Sequence, residues 1–277
     1  MRNVRLRITA AAALTVTLVL VPLVALAATI EGDSGNNTIT GTGTADLIKA
    51  RGGDDTVSAL GGDDTAFGNA GNDRLDGGAG KDVLKLNAGN DRGAGGLDDD
   101  DINGGAGNDR VVGDDGGDRI MLGIGDDIGY GGLDNDWVHG SDGVDVVYGD
   151  EGDDHPQGGK GNDSVYGGPG NDELDGDDGN DNLEAGPGDD QVTGDAGDDT
   201  IYPGDGADRV YGEEGWNHII ATDDGVEDKL FCGLTGPERD TPAGVLTYQG
   251  AQDQLDRVHG CEIEIVSALG RMLAYAP

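Results

Sequence analysis

Aspartate is the residue type that could carry chemistry in this sequence, because it recurs at one fixed spacing. From Gly32 to Ile220 the chain divides into 21 consecutive nine-residue repeats without an insertion or deletion, and position 6 of the repeat is aspartate in 19 of them. Paired carboxylates can act as acid and base or can bind a cation. Every one of these belongs to the periodic column, which favours ligands over catalysis. The aspartates are Asp46, Asp55, Asp64, Asp73, Asp82, Asp91, Asp100, Asp109, Asp118, Asp127, Asp136, Asp145, Asp154, Asp163, Asp172, Asp181, Asp190, Asp199 and Asp208.

Two further columns keep the same phase as the aspartates. Position 4 is glycine in 18 repeats, and position 8 is isoleucine, leucine or valine in 17. The exceptions are Thr44, Asp98 and Asp134 at position 4, Ala66, Gly93, Gly129 and Pro156 at position 8, and Asn37 and Asn217 at position 6. Three independent columns held in phase over 21 repeats are not a chance effect of composition.

The three columns predict how the chain positions its aspartates. Glycines at positions 1, 2 and 4 favour a tight turn with positive φ, and positions 7 to 9 predict a short strand with position 8 alone facing the core. Two repeats then form one coil of turn, strand, turn and strand, and the next coil stacks about 4.8 Å away. The expected fold is all-β: a parallel β-roll or β-helix solenoid.

Repeats such as GGAGNDRVV (104–112), GGKGNDSVY (158–166) and GGPGNDELD (167–175) resemble the hemolysin-type, or repeats-in-toxin, calcium-binding nonapeptide. The resemblance covers residues 32–220. It implies that each Ca²⁺ lies between one turn and the turn 18 residues later, with position-6 carboxylates from both and turn carbonyls completing the shell. At most 19 such pairs exist among 21 repeats, so up to about 19 Ca²⁺ ions are expected. Pairs with Asn37 or Asn217 should bind weakly, and Thr44, Asp98 and Asp134 should distort sites locally.

Charge predicts that the repeats need this cation to fold. The chain has a net charge of −39 and only 4 % aromatic residues. Two carboxylates about 5 Å apart repel by roughly 3 kcal/mol at an effective dielectric constant of 20, and each coil adds two such contacts. A disordered acidic tract is the alternative interpretation. Such a tract would not require fixed glycine and aliphatic columns.

Residues 1–27 have a different composition from the repeats. Arg2, Arg5 and Arg7 precede an apolar stretch from Ile8 to Leu26, and Ala25 and Ala27 fit a cleavage site. This layout predicts a secretory signal peptide, with a transmembrane anchor as the alternative. The expected organisation is therefore a signal peptide at 1–27, the repeat domain at 28–220 and a C-terminal cap at 221–277. The expected location is extracellular, secreted or at the cell surface.

The predicted cap contains the only two cysteines, Cys232 and Cys261. In an exported chain such a pair predicts a disulfide, worth roughly 3–4 kcal/mol in the chain-entropy model, and two free thiols are the alternative. The segment EDKLFCG (227–233) still echoes the repeat, and 252–266 indicates further strand. The cap resembles the cysteine-containing tail that follows such repeats in secreted bacterial proteins.

Tyrosines line up on the predicted outer face. Equal positions 18 residues apart lie on one sheet, which gives a position-9 row of Tyr130, Tyr148 and Tyr166, resumed at Tyr202. The same sheet carries Arg74, Arg92 and Arg110 at position 7. Such a stripe could bind a glycan or a matrix protein, or it could reflect cross-strand stacking alone. Pro156 predicts a local defect in the opposite sheet.

The sequence offers no place for a catalytic site. None of His139, His155, His218 and His259 lies in an H-E-x-x-H motif, and G-x-S-x-G is absent. The acidic charge excludes nucleic acid and anionic membranes unless calcium bridges them. Two functions remain: a calcium-dependent structural or adhesion module, or a carrier or carbohydrate-binding module that lacks its catalytic partner domain.

Overall fold

The computed structural model describes residues 5–7, 27–222, 226–233, 244–249, 257–259, 262–267 and 270–275 of the chain, with side chains in 27–221 and 226–233. Strands, turns and bends make up these residues. Within them, no helix is long and apolar enough to cross a membrane. The chain forms two compact regions: the N-terminal region, Met1–Leu133, and the C-terminal region, Asp134–Pro277.

The N-terminal region consists of short strands in two sheets. The strands are β1 (Arg5–Arg7), β2 (Thr29–Glu31), β3 (Thr38–Thr40), β4 (Leu47–Gly52), β5 (Thr56–Ser58), β6 (Thr65–Ala70), β7 (Arg74–Ala79), β8 (Val83–Ala88), β9 (Arg92–Leu97), β10 (Asp101–Ala106), β11 (Arg110–Asp115), β12 (Arg119–Ile124) and β13 (Ile128–Leu133). One sheet has the order β1-β2-β4-β6-β8-β10-β12, called the even-strand sheet, and the other has β3-β5-β7-β9-β11-β13, called the odd-strand sheet. All described pairs here are parallel.

The C-terminal region repeats this plan. Its strands are β14 (Trp137–Asp142), β15 (Val146–Glu151), β16 (His155–Lys160), β17 (Ser164–Tyr166), β18 (Glu173–Asp178), β19 (Asn182–Pro187), β20 (Gln191–Thr193), β21 (Thr200–Asp205), β22 (Arg209–Tyr211), β23 (Asn217–Thr222), β24 (Lys229–Phe231), β25 (Gly244–Gln249), β26 (Arg257–His259), β27 (Glu262–Ser267) and β28 (Gly270–Tyr275). Its even-strand sheet runs from β14 to β26 and its odd-strand sheet from β15 to β28. Pairing is parallel except between β27 and β28, which are antiparallel.

The strand register confirms the predicted coil of two repeats. Within the nine-residue repeats, consecutive strands alternate between the two sheets, and neighbours within a sheet are 18 residues apart in the sequence. Arg74 on β7 pairs with Arg92 on β9, which pairs with Arg110 on β11. A parallel β-solenoid is therefore the architecture of each region, and equal repeat positions stack from coil to coil.

The strands are longer than the sequence predicts. Most contain six residues, from position 7 of one repeat to position 3 of the next, as in Arg74–Ala79. Along β7, Leu75 and Gly77 are buried and Arg74 is exposed. The prediction that position 8 alone faces the core is therefore wrong, because period-two alternation carried across the repeat boundary turns positions 6, 8 and 1 inward.

Position 1 also explains how the core accommodates glycine at position 8. Gly93 stands where most repeats have an aliphatic residue, and Leu86 occupies position 1 of the same repeat. A Cβ added to Gly93 would lie 3.1 Å from Leu86 Cδ1, and Leu86 is fully buried. The repeat with Gly129 likewise has a fully buried leucine, Leu122, at position 1. Each burial contributes about 1.5–3 kcal/mol, so the leucine replaces the missing core side chain.

Most residues that depart from the repeat consensus leave the regular fold intact. Asp98 and Asp134 adopt φ values of 73° and 74° in place of glycine, so the turn keeps its left-handed residue. Pro156 is buried in β16, whose pairing with β18 begins only at Gln157. The predicted defect is thus confirmed, and it affects the start of one strand pair, where proline has no N–H to donate.

The two predicted terminal segments are described only in part. The predicted signal peptide lies outside the described residues except for β1 and Ala27, and β1 pairs with β2. In the predicted cap, β24 joins the even-strand sheet beside β22, with Lys229 opposite Arg209, 20 residues away. Repeat geometry therefore continues past Ile220 after two extra residues. The domain boundaries themselves stay a prediction.

Candidate metal centre

The position-6 aspartates form buried files inside the turns. All 19 are 1–5 % exposed. Within each region the main-chain N–H of one aspartate donates to Oδ1 of the aspartate one coil later, at 2.6–3.0 Å. The structure thus brings together the predicted pairs Asp55 with Asp73, Asp109 with Asp127, and Asp163 with Asp181. One carboxylate oxygen of each residue holds the register of the coils.

The second carboxylate oxygen of most of these residues is buried without a hydrogen-bond donor. This holds for Oδ2 of Asp55, Asp64, Asp73, Asp82, Asp91, Asp100, Asp109, Asp154, Asp163, Asp172, Asp181, Asp190 and Asp199. A buried carboxylate oxygen without a partner costs several kcal/mol unless a proton or a cation meets it. Each of these turns therefore requires a positive group beside Oδ2.

Glycine at position 1 leaves the space that Oδ2 faces. A Cβ added to Gly68 would lie 2.5 Å from Asp73 Oδ2 and 2.8 Å from the carbonyl oxygen of Leu86, which is position 1 one coil later. At Gly158 the corresponding distances to Asp163 Oδ2 and the Gly176 carbonyl oxygen are both 2.8 Å. These position-1 glycines do not have positive φ. They are needed because a side chain would fill a place where a carboxylate and a carbonyl converge.

Asn217 shows what such a turn requires. Its Nδ2 donates to the carbonyl oxygen of Cys232 at 3.0 Å, and Asn217 is fully buried. A Cβ on Gly212 would lie 2.5 Å from that Nδ2 and 2.6 Å from that carbonyl oxygen. The geometry matches the aspartate turns, but here the chain supplies a donor between the two groups. At aspartate the same gap is flanked by two acceptors, which suits a cation.

Burial raises the pKa of many of the aspartates in these files. It raises the pKa of Asp64, Asp109 and Asp181 to about 7, although the N–H of the preceding aspartate lowers it and the carboxylate one coil away raises it further. The same cause raises the pKa of Asp55, Asp82 and Asp154 to about 6. Without a cation the files therefore retain protons close to neutral pH.

The donor set fits a hard cation. Among the described residues, no three histidine, cysteine, aspartate or glutamate side chains lie close enough together to hold a metal ion by themselves. Carboxylates can therefore supply only part of a shell, and the main-chain carbonyls of the turns are the other oxygens present. Ca²⁺ takes six to eight oxygen ligands from carboxylates and carbonyls in flexible geometry. The residues present thus fit Ca²⁺ better than a metal that prefers nitrogen or sulfur.

The first coil differs from the others, as its sequence predicts. Thr44 replaces the turn glycine, and Asp46 Oδ2 accepts the N–H of Thr42 at 2.6 Å. Asn37 Oδ1 accepts the N–H of Asp33 at 2.8 Å. Both position-6 side chains accept a hydrogen bond from an N–H of their own turn, so the first turns have less need of a cation.

A second ladder of hydrogen bonds, which was not predicted from the sequence, runs along the outside of the turns. Position 5 is asparagine or aspartate in 15 of 21 repeats, which was the available signal. Its N–H donates to the side-chain oxygen of position 5 one coil earlier, as Asn72 does to Asp54 and Asn180 does to Asn162. These bonds are 2.7–3.3 Å long and exposed. Asp228 lies outside the nine-residue phase and was not predicted as a ligand, but it is buried and accepts the N–H of Asp208 at 3.0 Å.

The predicted tyrosine stripe is partly a stack. Tyr148 and Tyr166 of the C-terminal region pair across β15 and β17, with ring centroids 4.7 Å apart and planes 11° apart. Glu184 follows Tyr166 in the row and Tyr202 follows Glu184. In the N-terminal region, Tyr130 contacts Arg110. Cys232 is fully buried, and Cys261 lies outside the described residues.

Comparison with known proteins agrees with this geometry. No curated protein matches the chain. The family described as RTX calcium-binding nonapeptide repeat (4 copies) matches at residues 31–66, 58–92, 86–120, 94–129, 121–156, 157–183, 175–210 and 193–224. Together these matches cover more than two thirds of the 277 residues. The chain belongs to the RTX calcium-binding nonapeptide repeat family.

Proposed function

We propose that the 19 position-6 aspartates are the Ca²⁺ ligands of this chain and that its repeats need the ion to fold. The observation that carries the proposal is the buried Oδ2 atom that faces a carbonyl oxygen without a donor, as at Asp73 and Asp163. The amide of Asn217 supports it, because a positive N–H occupies the corresponding place there. Calcium would neutralise the file and add its binding free energy to folding.

Each part of the turn has its own role in this proposal. Oδ1 of an aspartate such as Asp181 accepts the N–H of Asp163 and sets the coil-to-coil register. Oδ2 and the position-1 carbonyl oxygen provide negative charge for the ion. Glycine at position 1 keeps their meeting place open. The position-5 ladder holds the outside of the same turn.

The number of ions should fall below the limit of about 19 set by the pairs of position-6 residues one coil apart. Pairs with Asn37 or Asn217 contain one carboxylate fewer, and Asp46 Oδ2 already has the N–H of Thr42. Asp228 would extend one file beyond the last nine-residue repeat. The two ends of the repeat domain should therefore bind more weakly than its middle.

A calcium titration tests the proposal. The full chain is stripped with chelator and titrated with Ca²⁺ while strand content is followed by far-ultraviolet circular dichroism and ion number by isothermal titration calorimetry. We expect cooperative folding with a midpoint of about 0.1–1 mM, in the range of extracellular sites. Mg²⁺ is the control and should fail, because it requires near-octahedral geometry and keeps its water. Strand content unchanged by chelator would refute the proposal.

We propose an extracellular structural or adhesive role for the folded module. Tyr148 and Tyr166 stack on each other, and such cross-strand pairs stabilise a sheet by about 0.2–1 kcal/mol. That stacking gives the tyrosines a structural reason to be present, and it weakens the case for a sugar-binding platform. The alternative is a carbohydrate-binding or carrier module without its catalytic partner. Glycan arrays with and without Ca²⁺ distinguish the two: binding lost in Tyr148→Ala would favour the alternative.

Export and a disulfide complete the proposal. The layout of residues 1–27 supports secretion, and N-terminal sequencing of the exported chain should begin at Ala28. Cys232 is buried, and the chain has only one other cysteine, Cys261, which supports the pairing. We therefore expect the denatured protein to take up thiol-alkylating reagent only after reduction. Uptake before reduction would rule out the Cys232–Cys261 disulfide.

A further inference from the structure

Three arginines form a row across the odd-strand sheet of the N-terminal region. Arg74, Arg92 and Arg110 occupy position 7 of alternate repeats and pair directly across β7, β9 and β11. All three are exposed. Neighbouring strands are about 4.8 Å apart, so the row places three guanidinium groups at regular spacing along the axis of the solenoid.

The row lacks an internal counter-ion. None of the three arginines forms an ion pair within the described part of the chain, where the ion pairs involve Arg51, Lys81, His155 and Lys160. Arg110 donates from Nη1 to the Tyr130 hydroxyl at 3.0 Å, and its Cζ lies 4.4 Å from the centroid of that ring. Like charges directly opposite each other destabilise a sheet, and within the described residues no carboxylate forms an ion pair with the row to offset that cost.

The outward neighbours of the central arginine, Arg92, are neutral, although the chain has 56 acidic residues. Each arginine stands two residues after an asparagine at position 5. In the repeats that flank the row on the same sheet, position 5 is Asp54 or Asp126. The central strand, β9, carries no acidic residue, whereas β7 carries Asp76 and β11 carries the exposed residues Asp114 and Asp115. The neutral neighbours are Asn72, Asn90, Asn108, Ala94 and Val112.

We propose that Arg74, Arg92 and Arg110 bind the carboxylate groups of a linear acidic polysaccharide laid across the strands. Guanidinium groups bind carboxylates through paired hydrogen bonds, and a regular row matches a polymer with one carboxylate per sugar. The inference rests on the proposed function. Calcium on Asp73, Asp91 and Asp109, which precede the arginines in the sequence, cancels the buried negative charge behind the row.

A single-stranded nucleic acid fits this surface less well. Proteins that bind single strands add aromatic rings on which bases stack. Tyr130 is the aromatic residue that contacts the row, and the guanidinium of Arg110 lies over its ring. A carboxylated sugar chain can bind through its carboxylate groups alone, without such a stacking surface.

Binding of hexagalacturonate to the calcium-loaded full chain tests the inference. Titration calorimetry compares the wild type with R74Q/R92Q/R110Q and with the control R51Q/R119Q/R209Q, which removes the same charge at other exposed arginines. We expect the row variant to lose affinity about fiftyfold and R92Q about fivefold, as for charge-assisted hydrogen bonds at an exposed site. The control should stay within about twofold of wild type, because charge at a distance is screened.

Equal losses in the row variant and the control would overturn the inference, and so would unchanged affinity in the row variant, which would point to calcium bridging. Tighter binding of oligothymidylate, lost in the row variant, would replace the polysaccharide with a nucleic acid. Circular dichroism in Ca²⁺ separates this inference from the proposed function. A chain that folds with calcium but does not bind hexagalacturonate contradicts only the arginine row.

Discussion

The inside and the outside of the same turns carry two side-chain ladders that differ in one respect. In both, a main-chain N–H donates to an aspartate or asparagine oxygen one coil away, but the ladders run in opposite directions. The outer ladder uses asparagine and aspartate about equally. Its side chains are exposed, so water can hydrogen-bond to the side-chain atoms that take no part in the ladder. The inner file is aspartate in 19 of 21 repeats, and its second oxygen is buried. The comparison shows that burial, and not the ladder itself, creates the need for a cation.

Acid should replace calcium in the inner file, which gives the largest expected effect. Folded-state pKa values of about 6 or 7, against an ordinary 3.8, mean that the metal-free fold binds more protons than the unfolded chain between these values. Its stability is therefore greatest below pH 4 and is lost as the pH rises through 7. We expect circular dichroism in chelator to show strand content rising from pH 7.5 to pH 5. Strand content that falls with acid would contradict the raised pKa values of the buried carboxyl groups.

Neighbouring alanine substitutions within one repeat compare the two ladders directly. Asp181→Ala removes the Oδ1 acceptor of Asp163 N–H together with Oδ2, whereas Asn180→Ala removes only an exposed acceptor of Asp198 N–H. We expect D181A to cost about 1.5–3 kcal/mol in calcium and N180A about 0.5–1 kcal/mol. Thermal unfolding at saturating Ca²⁺ measures both. Equal losses would mean that the inner file has no special role.

The asparagine at the end of the file allows the reverse test. Asn217→Asp removes the donor to the Cys232 carbonyl and places a carboxylate at a fully buried position. We expect the calcium titration to shift to higher concentration, with about 1–2 kcal/mol lost at low Ca²⁺ and recovered at saturation. The matched control is Asn180→Asp on the exposed ladder, which should leave the midpoint unchanged. An identical shift in both variants would show a general charge effect.

Much of this arrangement follows from the sequence. The nine-residue phase predicted the 18-residue strand register, the inward position 8 and the pairing of position-6 aspartates. Position 1 could also have been deduced, because alternation from position 6 through 8 reaches it after the repeat boundary. The sequence contains a sign of this, because the repeat that has Gly93 at position 8 has Leu86 at position 1. The direction of the two ladders, and the split of each carboxylate into a bonded and an unbonded oxygen, could not be deduced. They depend on the offset between coils, which repeat spacing leaves open.

The position of Asp228 has a consequence for how such chains change in length. Asp208 and Asp228 are joined as the other aspartates are, although 20 residues separate them and not 18. The added residues fall between β23 and β24, and both strands keep their partners. Two residues added between β23 and β24 therefore leave the next rung in register. An engineer who wishes to display a foreign peptide on this scaffold would place it there.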